Sequence, residues 1–248
     1  VNGVRRALMD RITRNVGHTG VGVNIDLTSK PEIKRVLICR PNHRLGNLLL
    51  MTPLVQEVID TFPNCKIDLF VKGGLAPIIF RNYQNIDQII QLPKKPFKNS
   101  IAYIQGWVSL KKHHYDVVIN SVRHSSSGKL SVQFANSTYK LFGADTLDIQ
   151  FQEKDYGHVA KYSIYDLRSY LTRLGFPINN KPPASLDLKL TPLEIAEGKK
   201  ILNKLVNPQK KTISLFTYAT GEKCYSESWW AGFYERLKTE YPNHNFIE

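Results

Sequence analysis

Apolar positions along the chain fall into two kinds of run. Four short runs read as strands: Arg35–Arg40 (RVLICR), Lys66–Val71 (KIDLFV), Ile86–Leu92 (IDQIIQL) and Tyr115–Ser121 (YDVVINS). The first lacks alternation, which predicts a strand buried in a parallel sheet. Between and after them the spacing is helical: Asn47 to about Phe62, Leu75–Asn82, Ser100–Lys112, Lys129–Phe142 and His158–Leu174. Strands alternating with helices predict βαβ units and a parallel sheet. Asn47 is the expected N-cap of the first of these helices.

The pattern resets at NNKPPASLDLKL, a polar, Pro-rich stretch suited to a linker. Beyond it a helix is expected over Leu193–Val206, a strand over Thr212–Tyr218, a helix over Trp229–Tyr241 and a new strand from Asn245. Such a beginning cannot bury a core by itself. The expected division is residues 1–33 as a basic helix and loop, 34–180 as a Rossmann-like domain, and 181–248 as linker plus the opening of a second such domain. A chain holding only that opening is expected to be inactive or nearly so. In the first segment Val4, Leu8 and Ile12 recur every four residues among Arg5, Arg6, Arg11 and Arg14. That pattern fits an interfacial helix on an anionic membrane or a helix docked on its own domain.

Composition narrows the class. The chain has 248 residues, 42% hydrophobic and 22% charged, which is ordinary globular usage. Lysine and arginine outnumber the acids 34 to 21, a net +13 that predicts an anionic partner. The basic residues are dispersed, and no nucleic-acid-binding motif is present, so nucleic acid is not the expected partner. The clusters Lys94, Lys95, Lys98 and Lys111, Lys112, His113, His114 read either as solvated loops or as contacts to an anionic surface. Three separated cysteines without a CxxC argue against a disulfide framework and a zinc site. With no apolar signal region or long apolar run, a cytoplasmic location is expected.

Several motifs fail. Gly17–Gly22 follows a helix, in the wrong order for a dinucleotide fingerprint. Arg123 stands where a P-loop ending in Gly128-Lys129 needs its first glycine. HExxH and GxSxG are absent. No Asp-x-Asp is present to hold a divalent ion on a sugar-nucleotide diphosphate, which points to metal-independent chemistry, with no cofactor expected.

The informative segment is RVLICRPNHRLGNLLLMTP, Arg35–Pro53. As strand, tight loop and helix, it reaches the carboxyl edge of the sheet, where ligands bind open α/β folds. Gly46 would permit close backbone approach, and the helix N-terminus would favour an anion. Arg40, His43 and Arg44 add charge at the same place. On spacing alone, a routine strand-to-helix turn fits as well.

This segment resembles the N-terminal signature of glycosyltransferase family 9, the ADP-heptose:lipopolysaccharide heptosyltransferases and their relatives. The family pattern R-x-S-x-x-G-D-x-L-x-T-T-P-x-L is met in order by Arg40, Gly46, Leu48, Thr52 and Pro53. Phe62–Leu69 is similar to the family's F-P-x-A-x-I-D-x-L, and His158 with Leu171–Gly175 to a later helix. Thr220, Lys223 and Trp229/Trp230 resemble the donor-domain motif. The resemblance implies a GT-B fold and an inverting, metal-independent transfer. A sugar such as heptose would move from a nucleotide sugar, ADP-heptose for instance, to a lipopolysaccharide core or related surface glycan. It implies that Thr220 and Lys223 bind the donor diphosphate, and that the protein works peripherally at the cytoplasmic face of the inner membrane. It also exposes a departure: Asn47 stands where the family has its aspartate base. An amide cannot take up the acceptor proton. His43 is then the candidate base, with Asn47 positioning the hydroxyl. The alternative is a non-catalytic protein of the same fold that binds a sugar or nucleotide.

Overall fold

The computed structural model describes Arg11, Val16–Gly17 and residues 31–143, 154–177, 179–218 and 224–248, leaving aside the side chain of Phe97. The basic helix expected around Arg5–Arg14 lies almost wholly outside the described residues. The chain divides into two compact units, Val1–Lys189 and Leu190–Glu248.

The first unit is built on five parallel strands, β1 (Arg35–Arg40), β2 (Lys66–Lys72), β3 (Ile86–Leu92), β4 (Tyr115–Asn120) and β5 (Ser137–Leu141), in the order β3-β2-β1-β4-β5. β1 is central, with Val36 opposite Ile67 on one side and Val117 on the other. Its unbroken apolar run follows from this position, because both faces are covered. Val36 and Ile38 face one cluster with Ile67, Leu69, Val117 and Ile119, and Leu37 and Cys39 face the other with Phe70 and Val118.

The first face is covered by α1 (Leu45–Leu49), α2 (Thr52–Thr61), α3 (Ala76–Ile79) and α6 (Tyr162–Arg173), which contribute Leu48, Leu54, Ile79 and Leu167. The second is covered by α4 (Ser100–Ser109) and α5 (Ser126–Phe134), with Leu110, Val132 and Ala135 in its cluster. The amino edge of the sheet is locked by charge. Asp116 Oδ2 accepts the backbone N–H groups of Lys34 and Arg35 at 2.7 and 2.8 Å. Arg35 pairs with the fully buried Asp68 at 2.7 Å, which also accepts from the Tyr115 hydroxyl at 2.9 Å.

Three expectations shift. The single helix from Asn47 is two, α1 and α2, broken at Leu50–Met51. Pro53 begins a new helix because it has no N–H to continue an old one. Lys129–Phe142 is not one helix: it stops at Phe134, and Ser137–Leu141 pairs with β4 as an edge strand. Helical spacing across Leu130 and Phe134 hid this strand, whose Thr138 and Tyr139 suit a pleated surface. The unit boundary lies at Lys189 rather than Lys181, because the Pro-rich stretch is strapped to α2 and to Tyr83 just beyond α3. Asn179 donates to Glu57 at 2.8 Å, Gln56 to the Ser185 carbonyl at 3.0 Å, and Tyr83 to the Asp187 carbonyl at 2.7 Å.

The second unit comprises α7 (Pro192–Leu205), β6 (Lys211–Ser214), α8 (Glu227–Glu240) and β7 (His244–Ile247), with β6 and β7 parallel. Thr191 and Glu194 form a reciprocal capping box on α7, and Ser226 caps α8. None of its described residues is buried, and Phe216 and Tyr218 are each 86% exposed. Two strands and two helices are too few to enclose a core.

Candidate functional site

Strand order reverses between β1 and β4, and the crevice of an open parallel sheet opens at the carboxyl ends of the strands flanking such a reversal. Arg40 closes β1 there and is only 4% exposed. Its Nη2 donates to Asn47 Oδ1 at 3.4 Å and its Nη1 to the Ser121 carbonyl at 3.5 Å, while Nε is buried with no partner. Both contacts are long for hydrogen bonds. Among the described residues no carboxylate pairs with it. Burial pulls the Arg40 pKa down, against a smaller opposing effect of Tyr162, yet a guanidinium stays protonated. The result is a buried cation whose donors are incompletely satisfied, which makes it a functional-site candidate.

Tyr162, from the start of α6, donates its hydroxyl to the same Ser121 carbonyl at 3.1 Å. Beside it Arg123 is fully employed. It stacks 3.8 Å over the Tyr156 ring and 4.6 Å over that of Tyr162, and its Nε and Nη2 bond the buried Asp166 at 3.2 and 3.3 Å. Asp166 also accepts from Tyr156 at 2.7 Å. One wall of the crevice is therefore rigid, aromatic and charge-balanced, and the other carries the under-satisfied Arg40.

His43 and Arg44 belong to a neighbouring group at the ends of β2 and β3. The Asn42 carbonyl accepts from Lys72 N at 3.3 Å, tying this loop to β2. The chain then turns at Gly73, whose φ of +78° suits glycine. A Cβ at Gly73 would lie 3.2 Å from His43 Cβ and 3.0 Å from Lys94 Cε. His43 is exposed, and its pKa lies below the ordinary 6.5, through partial burial first and then Lys72, Lys94 and Arg44. It is neutral at pH 7 and able to accept a proton.

The structure thus joins Arg40 to Asn47 directly and sets His43 with Arg44, Lys72 and Lys94. Asn47 lies inside α1 and is not an N-cap; Arg44 holds that position without a capping side-chain bond. With Asn47 Oδ1 turned to Arg40, the amide Nδ2 is the end left to donate to a ligand. Gly46, also in α1, has no atom within 4 Å of where a Cβ would project, which leaves room for a ligand. Thr220 and Lys223 lie outside the described residues. The sequence pattern does not mark Ser121, Arg123, Tyr156, Tyr162 or Asp166 as site residues. Ser121–Arg123 directly follow a strand, a signal that gains meaning once β4 is known to flank β1.

In the second unit a cavity of about 610 Å³ lies at the end of β6 and the start of α8, lined by Tyr218, Tyr225, Trp230, Tyr234 and Phe246 among others. It coincides with the uncovered aromatic face of that unit. The charge and hydrogen-bond geometry of the β1–β4 crevice carry more chemical information.

No protein-family model matches the chain, and no curated protein matches its sequence. Solved structures do match its fold. A glycosyltransferase family 9 protein from Veillonella parvula aligns over 88% of this chain and 70% of its own, with a TM-score of 0.57 at 15% identity. The E. coli heptosyltransferase WaaC, solved with ADP, aligns over 83% of this chain with a TM-score of 0.50 at 16% identity. This chain spans 65% of the WaaC chain, just under two thirds. The α/β, Rossmann-like architecture is therefore that of GT-B glycosyltransferases. The fold resembles that of the family 9 heptosyltransferases.

Proposed function

We propose that the protein belongs to a metal-independent, inverting glycosyltransferase system, with the first unit on the acceptor side and the second on the nucleotide-sugar side. The observation that carries this reading is the buried, incompletely satisfied Arg40 held against Asn47 at the carboxyl edge of β1. The donor is a nucleotide sugar, with ADP-heptose the leading choice because WaaC is a heptosyltransferase solved with ADP. The acceptor is a lipopolysaccharide core or related anionic surface glycan, in keeping with the net charge of +13. Peripheral work at the cytoplasmic membrane face follows from such an acceptor.

In this reaction Asn47 Nδ2 donates to the acceptor hydroxyl oxygen and orients it. The hydroxyl proton passes to neutral His43, directly or through water. The oxygen attacks the anomeric carbon, the bond to the diphosphate breaks, and the nucleoside diphosphate leaves with the electron pair. Thr220 and Lys223 would hold that developing charge, where fixed cationic donors lower the barrier most.

Asn47 also favours a second reading, a protein that binds nucleotide or sugar without turnover. The test takes the protein expressed from its natural reading frame and adds ADP-heptose and other nucleotide sugars with a heptose-deficient core acceptor. Transfer with inversion supports the first reading, saturable binding without product supports the second, and the absence of both transfer and binding removes both readings.

A further inference from the structure

Helix α4 carries its apolar residues on the wrong side for a helix that serves only its own core. Gly106 and Leu110 face inward, where a Cβ at Gly106 would meet Leu92, and Trp107 meets Phe70 edge-on at 5.3 Å. The opposite side shows Ile101 at 71%, Ile104 at 61% and Val108 at 54% exposure. These three recur at i, i+3 and i+7 and share one stripe. SIAYIQGWVS contains no charged residue.

The charge lies at the two ends. Exposed Lys94, Lys95 and Lys98 precede the helix, and exposed Lys111 and Lys112 follow it. Lys111 stands 4.8 Å over the ring of Phe134, itself 40% exposed, which extends the apolar surface onto α5. Residues 88–144 hold eight lysines and arginines and one acid, and so carry +7 of the chain's +13. That acid, Asp116, is engaged at the amino edge of the sheet. No carboxylate on β3, α4 or α5 opposes an anionic surface at this face, except Asp87, which is tied to Arg35.

We propose that α4 is a membrane-docking helix, seating Ile101, Ile104 and Val108 in the interface of an anionic bilayer with the flanking lysines on the headgroups. An aliphatic stripe between lysines fits lipid better than nucleic acid, which offers it no apolar partner. Lys94 joins this face to the loop of His43, so a lipid-borne acceptor would meet the protein on the reactive side. The docking itself does not depend on glycosyl transfer.

The test is co-sedimentation with phosphatidylcholine vesicles containing or lacking about 30% phosphatidylglycerol, without substrate. Wild type should pellet only with the anionic vesicles, and less as salt rises. The triple variant Ile101→Ser, Ile104→Ser, Val108→Ser should lose on the order of 100-fold in partitioning. Its melting temperature should hold, because these side chains are exposed. Lys94→Gln with Lys95→Gln and Lys98→Gln should weaken binding about 10-fold or more. Removing residues 1–16 should leave α4-dependent binding in place. Equal pelleting of wild type and the serine variant, binding lost only with residues 1–16, self-association through this face, or no binding to anionic vesicles would each overturn the proposal.

Discussion

Arg40 Nη2 donates to Asn47 Oδ1 at 3.4 Å, so the side chain that stands where the resembled family pattern has an aspartate is held by the buried cation at the end of β1. An aspartate of the same length would turn this long contact into a charge-assisted pair, which is shorter and stronger. Asn47→Asp should therefore preserve the fold, raise stability by about 1 kcal/mol or more, and retain or increase transfer. A crystal structure and a rate assay check both parts. A rise in stability with complete loss of function would show that Asn47 does chemistry an aspartate cannot.

His43 titrates below the ordinary histidine range, for partial burial and then the three nearby cations hold it there. A lowered pKa keeps the basic form down to lower pH. The acid limb of the rate profile should therefore lie below the ordinary histidine value of 6.5. Lys94→Gln should move the acid limb upward, toward 6.5. His43→Ala should cut the rate by ~10²–10⁴, the usual worth of general-base catalysis, with donor affinity little changed. A pH profile unaffected by both substitutions would take the proton-acceptor role away from His43.

Glu57 and Arg168 form a buried, two-pronged pair between α2 and α6, at 2.7 and 2.8 Å. Arg168 Nη1 also reaches the Lys181 carbonyl at 2.7 Å, binding the Pro-rich strap to the same joint. Removing one partner strands the other charge. Arg168→Met should cost about 3–5 kcal/mol in urea unfolding, and adding Glu57→Leu should recover much of that loss. If the double change is no better than the single one, the packing of the strap matters more than the charges.

Gly46 separates a structural from a functional role. With nothing within 4 Å of its Cβ direction, and inside a helix, Gly46→Ala should be neutral or stabilising by up to about 1 kcal/mol. A methyl group there would still obstruct a ligand against the α1 backbone. A raised melting temperature with weakened ligand binding is the expected pair of results, and unchanged binding would move the ligand elsewhere.

The central strands were legible because parallel strands covered on both faces keep continuous apolar runs, as β1, β2 and β4 do. β5 was not, since an edge strand with Ser137 and Lys140 lacks such a run and follows a helix without a glycine or proline break. Arg40, His43, Arg44, Gly46 and Asn47 could be found as one loop because they are contiguous. Their division into an Arg40–Asn47 pair and a His43–Lys94 group could not, since it depends on which strands flank β1. Tyr162 and Asp166 reach the crevice from more than a hundred residues away, and spacing holds no trace of that.

The most direct test is Arg40→Met, read by stability and ligand binding together. If Arg40 is kept for a ligand, removing a buried and poorly satisfied charge should leave the urea midpoint unchanged or higher. Binding or transfer of the anionic glycan acceptor should at the same time fall by at least 10-fold. A protein that unfolds more easily yet keeps its acceptor affinity would contradict the account, because Arg40 would then serve the fold and not the site.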